Sequence, residues 1–513
     1  MYINPNSDIK LLNNVPLDNT YEHTIYFNTD TEQYNYFSKY VKKSFSSQSY
    51  LRVNKGVARM DVKADAIYDC NYMMFRNTAY GSKWFYAFIT SIEYVNDNCT
   101  NVTFEIDVMQ TWFFAHNVDK CFVEREHPVS DQIGEHYEPE NVDTGEYVFN
   151  DFGSLLQTIK PLAVIIMVND TRGSPNGNLY DGIYGGCSLH AFNSDDTETI
   201  TNFLNQYAQK PEAIVAMYMC PVIAVGSAIP TGEGVNVTKS QSCYNTIVNT
   251  AKLTENLTLD GYKPKCKKLY TYPYNFYSVN AGNKSAVYRY ELFDDLLPQF
   301  NIDVPISYPV QVAIKPMYYK GCKDVPLTTE MLTLSDYPLC SWSTDAFRAW
   351  LAQNSLPITA TAITGGLSLG LGLGGMIPLS EASNNMNHAG NLLMQGYQAS
   401  IKADITRGNV FSGSVEIANG TKNFYGGRCS ITSEYAKMID EYFNMYGYAV
   451  KRVKHPNFSS RPHWNYIKTV GCCLKGSVPA DDAKKLCSIY DNGITFWKNG
   501  DEIGDYSLDN SPV

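Results

Sequence analysis

The chain has 513 residues, of which 18% are charged and 13% aromatic, and its formal net charge is −11. That length exceeds a single hydrophobic core, so about two to four domains are expected. The acidic balance excludes a protein wrapped around phosphate backbones and suits one that repels nucleic acid or merely stays soluble. The first residues, MYINPNSDIKLL, offer no basic n-region and no long apolar run, so no secretory signal is expected. Thirteen scattered cysteines without a C-x-x-C spacing read as reduced thiols, not as a zinc site or a disulfide framework. Thirty-nine tyrosines in a charge-poor chain point to a β-dominated protein with much half-buried interface.

Along the chain, Tyr72 to Phe114 is strand-like. KWFYAFITSIEYV alternates large apolar with smaller or polar residues, Asn96-Asp97-Asn98 supplies a turn, and Val102, Phe104, Ile106 and Val108 follow at period two. Asp119–Asp151 holds ten Asp/Glu and two Lys/Arg, which reads as a solvated loop or as an electronegative rim. PLAVIIMVN (Pro161–Asn169) and AIVAMYMCPVIAV (Ala213–Val225) read as buried strands, with helical spacing between them over Asp195–Gln209. Gly226–Val235 is a loop, and Asp345–Leu351 and Ala382–Ile405 are expected to be helical. Ser433–Asn444 and ADDAKKLCSIYD are further helices, VKRVKHPN and HWNYIKTVGCCLKGSV are strand-like, and Asp491-Asn492-Gly493 turns into ITFW.

From Ala349 to Ser380 no side chain is charged. Leu356–Leu379 is long enough to span about 30 Å of hydrocarbon as a helix. Six glycines between Gly365 and Gly375 would weaken that helix by about 5–6 kcal/mol relative to alanine. The segment is no ordinary linker either. It carries Leu356, Ile358, Ile363, Leu367, Leu369, Leu371, Leu373, Met376, Ile377 and Leu379, whose burial is worth roughly 15–25 kcal/mol. As a strand, Leu367, Leu369, Leu371 and Leu373 share one face while Ser and Gly form the other. Two readings follow: a sheltered loop that later meets a membrane, or a loop buried at a subunit interface.

YGSKWFYAFITSIEYVNDNCTNVTFEIDVMQTWFF with FVEREH (Phe122–His127) resembles the tail knob proteins of small short-tailed phages of Gram-positive bacteria, the Picovirinae group. So does the end of the chain, from YFNMYGYAVKRVKHPN through WNYIKTV to IYDNGITFW and IGDYS. The likeness covers about residues 1–150 and 430–513, and the middle matches weakly. The resemblance implies a mainly β (α+β) protein of the virion that forms a hexameric tube. Residues 1–154 and 406–513 would build the tube domain, 155–345 a middle β-rich lobe, and 346–405 a membrane-active loop with flanking helices. The implied partners are five further copies in a homo-hexamer, other tail proteins, phage DNA crossing the lumen without specific binding, and the host cytoplasmic membrane. The ten apolar residues of Leu356–Leu379 would plug the tube and then insert to form a pore. Glycine is expected to keep the barrier between those two environments modest.

Signatures of catalysis are missing. The eight histidines form no H-E-x-x-H and no i, i+4 pair, and no G-x-S-x-G or P-loop occurs. No cofactor, metal or catalytic residue is expected. Glu124-Arg125-Glu126-His127 reads as charge pairing at a strand end, with Glu124 and Glu126 on one face and Arg125 and His127 on the other. Lys451-Arg452-Val453-Lys454-His455, with Arg461, His463 and Trp464, reads as a solvated or ion-paired strand face, with DNA contact as the alternative. Two rival functions stay open: a wall-degrading or glycan-binding tail component, and a free pore-forming protein.

Overall fold

The computed structural model of the chain describes residues 6–48, 56–155, 162–168, 188–207, 214–221, 229–236, 243–281, 284–305, 312–321, 331–334, 339–341 and 424–512. The chain forms two compact units. Unit 1 takes Met1–Glu146, Thr258–Thr271 and Ile431–Val513, and unit 2 takes Tyr147–Leu257 and Tyr272–Ser430. Both are mainly β.

In unit 1 a six-stranded antiparallel sheet runs in the order Val41–Gln48, Ser7–Asn13, Cys70–Arg76, Trp84–Asn96, Cys99–Ile106, Val57–Met60. The hairpin expected from KWFYAFITSIEYV is its centre, and Asn96 opposes Cys99 across the turn. Strict alternation fails in the first half of that strand for a physical reason: both faces are covered. Met73, Phe75, Phe85 and Ala87 enter one core with Ile9 and Leu11, while Tyr72, Met74, Tyr86 and Phe88 enter a second one. Toward the turn the Trp84–Asn96 strand becomes exposed, with Tyr94 61% exposed, while Val102 on the partner strand stays in the core. Val108, expected on the strand, instead opens a short helix, Val108–Thr111. The Asp107 carboxylate caps it, accepting from the Gln110 N–H at 3.0 Å.

A second sheet of unit 1 interleaves both ends of the chain. Its order is His23–Ile25, Ile494–Trp497, Trp464–Val470, Cys121–Glu126, Tyr448–Lys454. The first pair is parallel and the rest antiparallel. The two C-terminal helices are present as Ser433–Tyr446 and Ala480–Asn492. Each buries a stripe at helical spacing: Ala436, Ile439 and Phe443 at i, i+3, i+7 in the first, and Leu486, Ile489 and Tyr490 at i, i+3, i+4 in the second.

Among the described residues, unit 2 contains three antiparallel sheets. One runs Tyr147–Ser154, Phe424–Ile431, Asn275–Ala281, Lys284–Tyr288. Another runs Val235–Asn236, Ser188–Asn193, Leu162–Val168, Ile214–Pro221, Leu339–Ser341. The third runs Cys243–Asn249, Gln299–Pro305, Val312–Met317, Leu332–Leu334. The apolar run after Pro161 is therefore a central strand, with Ala163 to Val168 all buried. The helix between the two apolar runs spans Thr197–Asn205, capped by Asp196, whose carboxylate accepts from the Thr199 N–H at 3.2 Å.

The Ser433–Tyr446 helix passes into the Tyr448–Lys454 strand through Gly447, at φ 66° and ψ −153°. A Cβ there would lie 2.2 Å from the Glu126 carbonyl oxygen. Gly471 has the same φ of 66° but nothing within 4 Å. Gly447→Ala is expected to destabilise unit 1 by more than about 2 kcal/mol, and Gly471→Ala by about 1 kcal/mol. Urea unfolding of both variants checks this. Equal losses would show that the approach to Glu126 is not the constraint.

Candidate functional site

The ten apolar residues expected to be membrane-active, Leu356, Ile358, Ile363, Leu367, Leu369, Leu371, Leu373, Met376, Ile377 and Leu379, lie outside the described residues. So do the helices expected at Asp345–Leu351 and Ala382–Ile405. The other charged candidates are described, and unit 1 brings most of them together.

The strand Cys121–Glu126 carries a bulge. Against Trp464–Val470, Arg125 pairs with Lys468 and Val123 with Thr469, which leaves Glu124 without an opposite residue. Alternation therefore breaks, and Glu126 joins buried Cys121 and Val123 instead of sharing a face with Glu124. This corrects the expected faces. The charge pairing itself is present: Glu126 binds Lys454, Arg125 binds Glu140, and Glu124 binds Lys468 at 3.0 Å.

Four carboxylates sit inside this region, and every one of their oxygens accepts a hydrogen bond. Glu126, 1% exposed, takes the Lys454 ammonium and the Asn457 N–H at 2.9 Å. Asp131 takes the Tyr448 hydroxyl at 2.8 Å and the Lys267 N–H at 3.2 Å. The side chain of Glu140 is fully buried. It takes the Lys268 ammonium at 2.5 Å, the Ala449 N–H at 2.8 Å and the Arg125 guanidinium. Asp440, 1% exposed on the buried face of its helix, takes the N–H groups of Lys265 at 2.7 Å and Cys266 at 2.8 Å and the Tyr262 hydroxyl at 2.8 Å. Asp131, Glu140 and Asp440 thereby hold the Thr258–Thr271 segment in unit 1.

The acidic stretch Asp119–Asp151 is thus only partly the solvated loop expected of it, since Glu126, Asp131 and Glu140 point inward and are consumed. Asp440 had a signal in the sequence: an aspartate on the apolar stripe of an amphipathic helix requires a buried partner. Its partners, Tyr262, Lys265 and Cys266, lie 174 to 178 residues earlier in the chain and had none. The basic strand face is likewise engaged. Besides Lys454, Lys451 donates to the Pro139 carbonyl at 3.0 Å. Arg461 is buried and donates to the Asn510 carbonyl at 3.1 Å, His463 meets Glu502 at 2.8 Å, and Trp464 is fully buried. With both oxygens of each engaged, these carboxylates are placed to hold chain segments together. Among the described residues no group of three or more His, Cys, Asp or Glu is placed to hold a metal ion.

His127 is locked in one form. Its Nδ1 accepts from the Tyr466 N–H at 2.8 Å, and its Nε2 faces the Asn444 carbonyl at 3.0 Å as the donor. Only the neutral ring satisfies both. Burial, with the nearby charges of Arg461 and Arg125, pushes its pKa down to about 3. The unfolded chain takes up a proton as pH falls below about 6.5, while the folded one resists until about 3. Stability from this group is therefore full above pH 6.5 and is lost as pH falls towards 3, at up to about 1.4 kcal/mol per pH unit. His127→Gln is expected to lower stability at pH 7 and to flatten the slope between pH 6 and pH 4 by about 1 kcal/mol per unit. Unfolding free energies measured across that range check it, and parallel slopes in the two proteins would refute it.

Comparison with known proteins places this arrangement. Residues 236–511 match the C-terminal domain of the tail knob protein gp9 of Bacillus phage phi29, and residues 5–117 match the N-terminus of the Caudoviral major tail protein. The tail knob proteins gp9 of Bacillus phages PZA and phi29 are 28% and 27% identical to this chain, over 98% of it and 98% of each of them. The likeness is thus wider than the two chain ends from which it was first legible. The solved tail knob protein gp12 of bacteriophage C1 has a TM-score of 0.58 at 16% identity, covering 98% of this chain and 99% of that one, and so shares its fold. With more than half of its length matched by the gp9 C-terminal domain alone, the chain belongs to the phage tail knob proteins, structural components of the virion tail.

Proposed function

We propose that copies of this chain, six by the likeness to tail knob proteins, close into a ring whose lumen passes phage DNA without binding it. In the same proposal Leu356–Leu379 plugs that lumen and then enters the host cytoplasmic membrane as a pore. The observation that carries it is in the sequence. A structural tail protein carries, from Ala349 to Ser380, no charged side chain, and Leu367, Leu369, Leu371 and Leu373 alternate with Ser or Gly. A formal charge of −11 suits a wall along which DNA slides.

Unit 1 is assigned to the tube and unit 2 to the middle lobe. The joining of Cys121–Glu126 to both Tyr448–Lys454 and Trp464–Val470 supports a tube domain made from both ends of the chain. Ring closure is the natural way for one chain to build a tube. Among the described residues no helix is long and apolar enough to cross a membrane, which leaves strands aside. The entry into lipid is assigned to Leu356–Leu379 on its composition. Other tail proteins are its partners in the virion.

Deleting Leu356–Leu379 is expected to leave folding and oligomers intact and to abolish release of dye from liposomes. Undiminished leakage from the deletion variant would sink the membrane assignment. In negative-stain images the purified protein is expected to show a ring with a lumen of at least about 20 Å, the width of duplex DNA. A compact monomer would rule out the conduit.

A further inference from the structure

The strand Trp464–Val470 is followed by Gly471 in the left-handed region and then by Cys472. The Cys472 N–H donates to the Asp491 carboxylate at 3.0 Å, and the same oxygen accepts the Thr469 hydroxyl at 2.7 Å. Asp491 lies on the helix Ala480–Asn492, and Cys487 precedes it by one turn on the same face. The backbone of Cys472 is therefore pinned against the helix face that carries Cys487, which brings the two thiols near enough for each to perturb the titration of the other. Two more thiols share this corner. Cys121 is buried, its neighbour Phe122 pairs with Val470, and the Asp119 N–H donates to the Cys473 carbonyl at 2.8 Å. All four cysteines are free, and Cys473 is exposed.

We infer that Cys472 and Cys487 are a reversible dithiol–disulfide pair, closed by oxidation once the chain leaves a reducing compartment. A virion component is made in the cytoplasm of its host and then faces an oxidising medium, the change of setting to which such a pair responds. A small disulfide such as oxidised glutathione suffices as oxidant. One cysteine thiolate attacks a glutathione sulfur and expels one glutathione thiolate. The second cysteine thiolate then attacks the protein sulfur of the mixed disulfide and expels the other. One S–S bond breaks and one forms. The two protein thiols give up two protons and two electrons, and two reduced glutathione molecules carry them away. Burial pushes both thiols up, so the exchange is slow at neutral pH and quickens as pH rises. The closed bond ties the turn after Trp464–Val470 to the helix and restricts the unfolded chain between them.

The test equilibrates the purified full chain with oxidised glutathione, alkylates the remaining thiols, and maps peptides under non-reducing conditions. The expected product is a cross-linked peptide pair containing Cys472 and Cys487, two hydrogens lighter than the sum of its parts and separated again by dithiothreitol. Cys487→Ser is expected to lose that species, and Cys473→Ser to retain it, which assigns the bond to Cys472. Should a serine variant fail to fold, the map of the unaltered chain decides. Full alkylation of Cys472 and Cys487 after oxidation, or a cross-link made through Cys121 or Cys473 instead, would overturn the pairing.

Discussion

Unit 1 depends on buried carboxylates that hold distant pieces of chain together. Removing an ionised carboxylate from water costs several kcal/mol, and the cost is offset only when its oxygens are filled. Glu126, Asp131, Glu140 and Asp440 meet that condition in full, and their donors come from other segments. Glu140 alone joins Arg125 of one strand, Lys268 of the Thr258–Thr271 segment and the backbone of Ala449 in another strand. An apolar contact at such a junction would tolerate a slip of one residue. A carboxylate with three fixed donors does not, because a slip would leave a buried charge unpaired.

Tyrosine serves the same end. Its abundance suggests half-buried interface, yet Tyr72, Tyr270, Tyr274, Tyr288 and Tyr448 are almost wholly buried. The rings fill the cores and the hydroxyls supply donors where carboxylates need them. Tyr72 donates to Asp107 at 2.8 Å, Tyr448 to Asp131 and Tyr262 to Asp440. Each acceptor disfavours loss of the phenolic proton, and burial pushes all three tyrosines well up, so they remain donors throughout the neutral range. A chain low in lysine and arginine can satisfy buried carboxylates in this way without adding charge.

What was legible in the sequence follows from locality. The Trp84–Asn96 hairpin, the apolar strand Leu162–Val168 and the helices Ser433–Tyr446 and Ala480–Asn492 are written in period and turn residues over a dozen positions. The short Val108–Thr111 helix escaped because Asp107 caps a segment whose apolar spacing still reads as strand. The inward turn of Glu126 escaped because one bulged residue, Glu124, reverses the parity of all that follows. Membership of Thr258–Thr271 in unit 1 escaped for a deeper reason. It is fixed by Asp440, Asp131 and Glu140, none of which is a sequence neighbour, and nothing within the segment names its partners. At the candidate site the charge pairing of Glu124, Arg125 and Glu126 was legible, whereas the partners Lys454 and Glu140, and the neutral state of His127, were not.

The two parts of the proposed mechanism ask opposite things of their residues. A tube wall has to keep one geometry while DNA passes, and directional bonds to buried charges give that rigidity, since they are lost in large steps and not by degrees. A segment that exchanges a protein lumen for lipid must not be held by such bonds, because each would be left unsatisfied in hydrocarbon. Leu367, Leu369, Leu371 and Leu373 with their intervening Ser and Gly have no charged group to strand. Apolar contacts are non-directional, and exchanging apolar neighbours for acyl chains would change little in the free energy of a leucine. The sharp boundary between a charge-paired framework and a charge-free stretch is therefore what a single chain needs if one part is to stay while another moves.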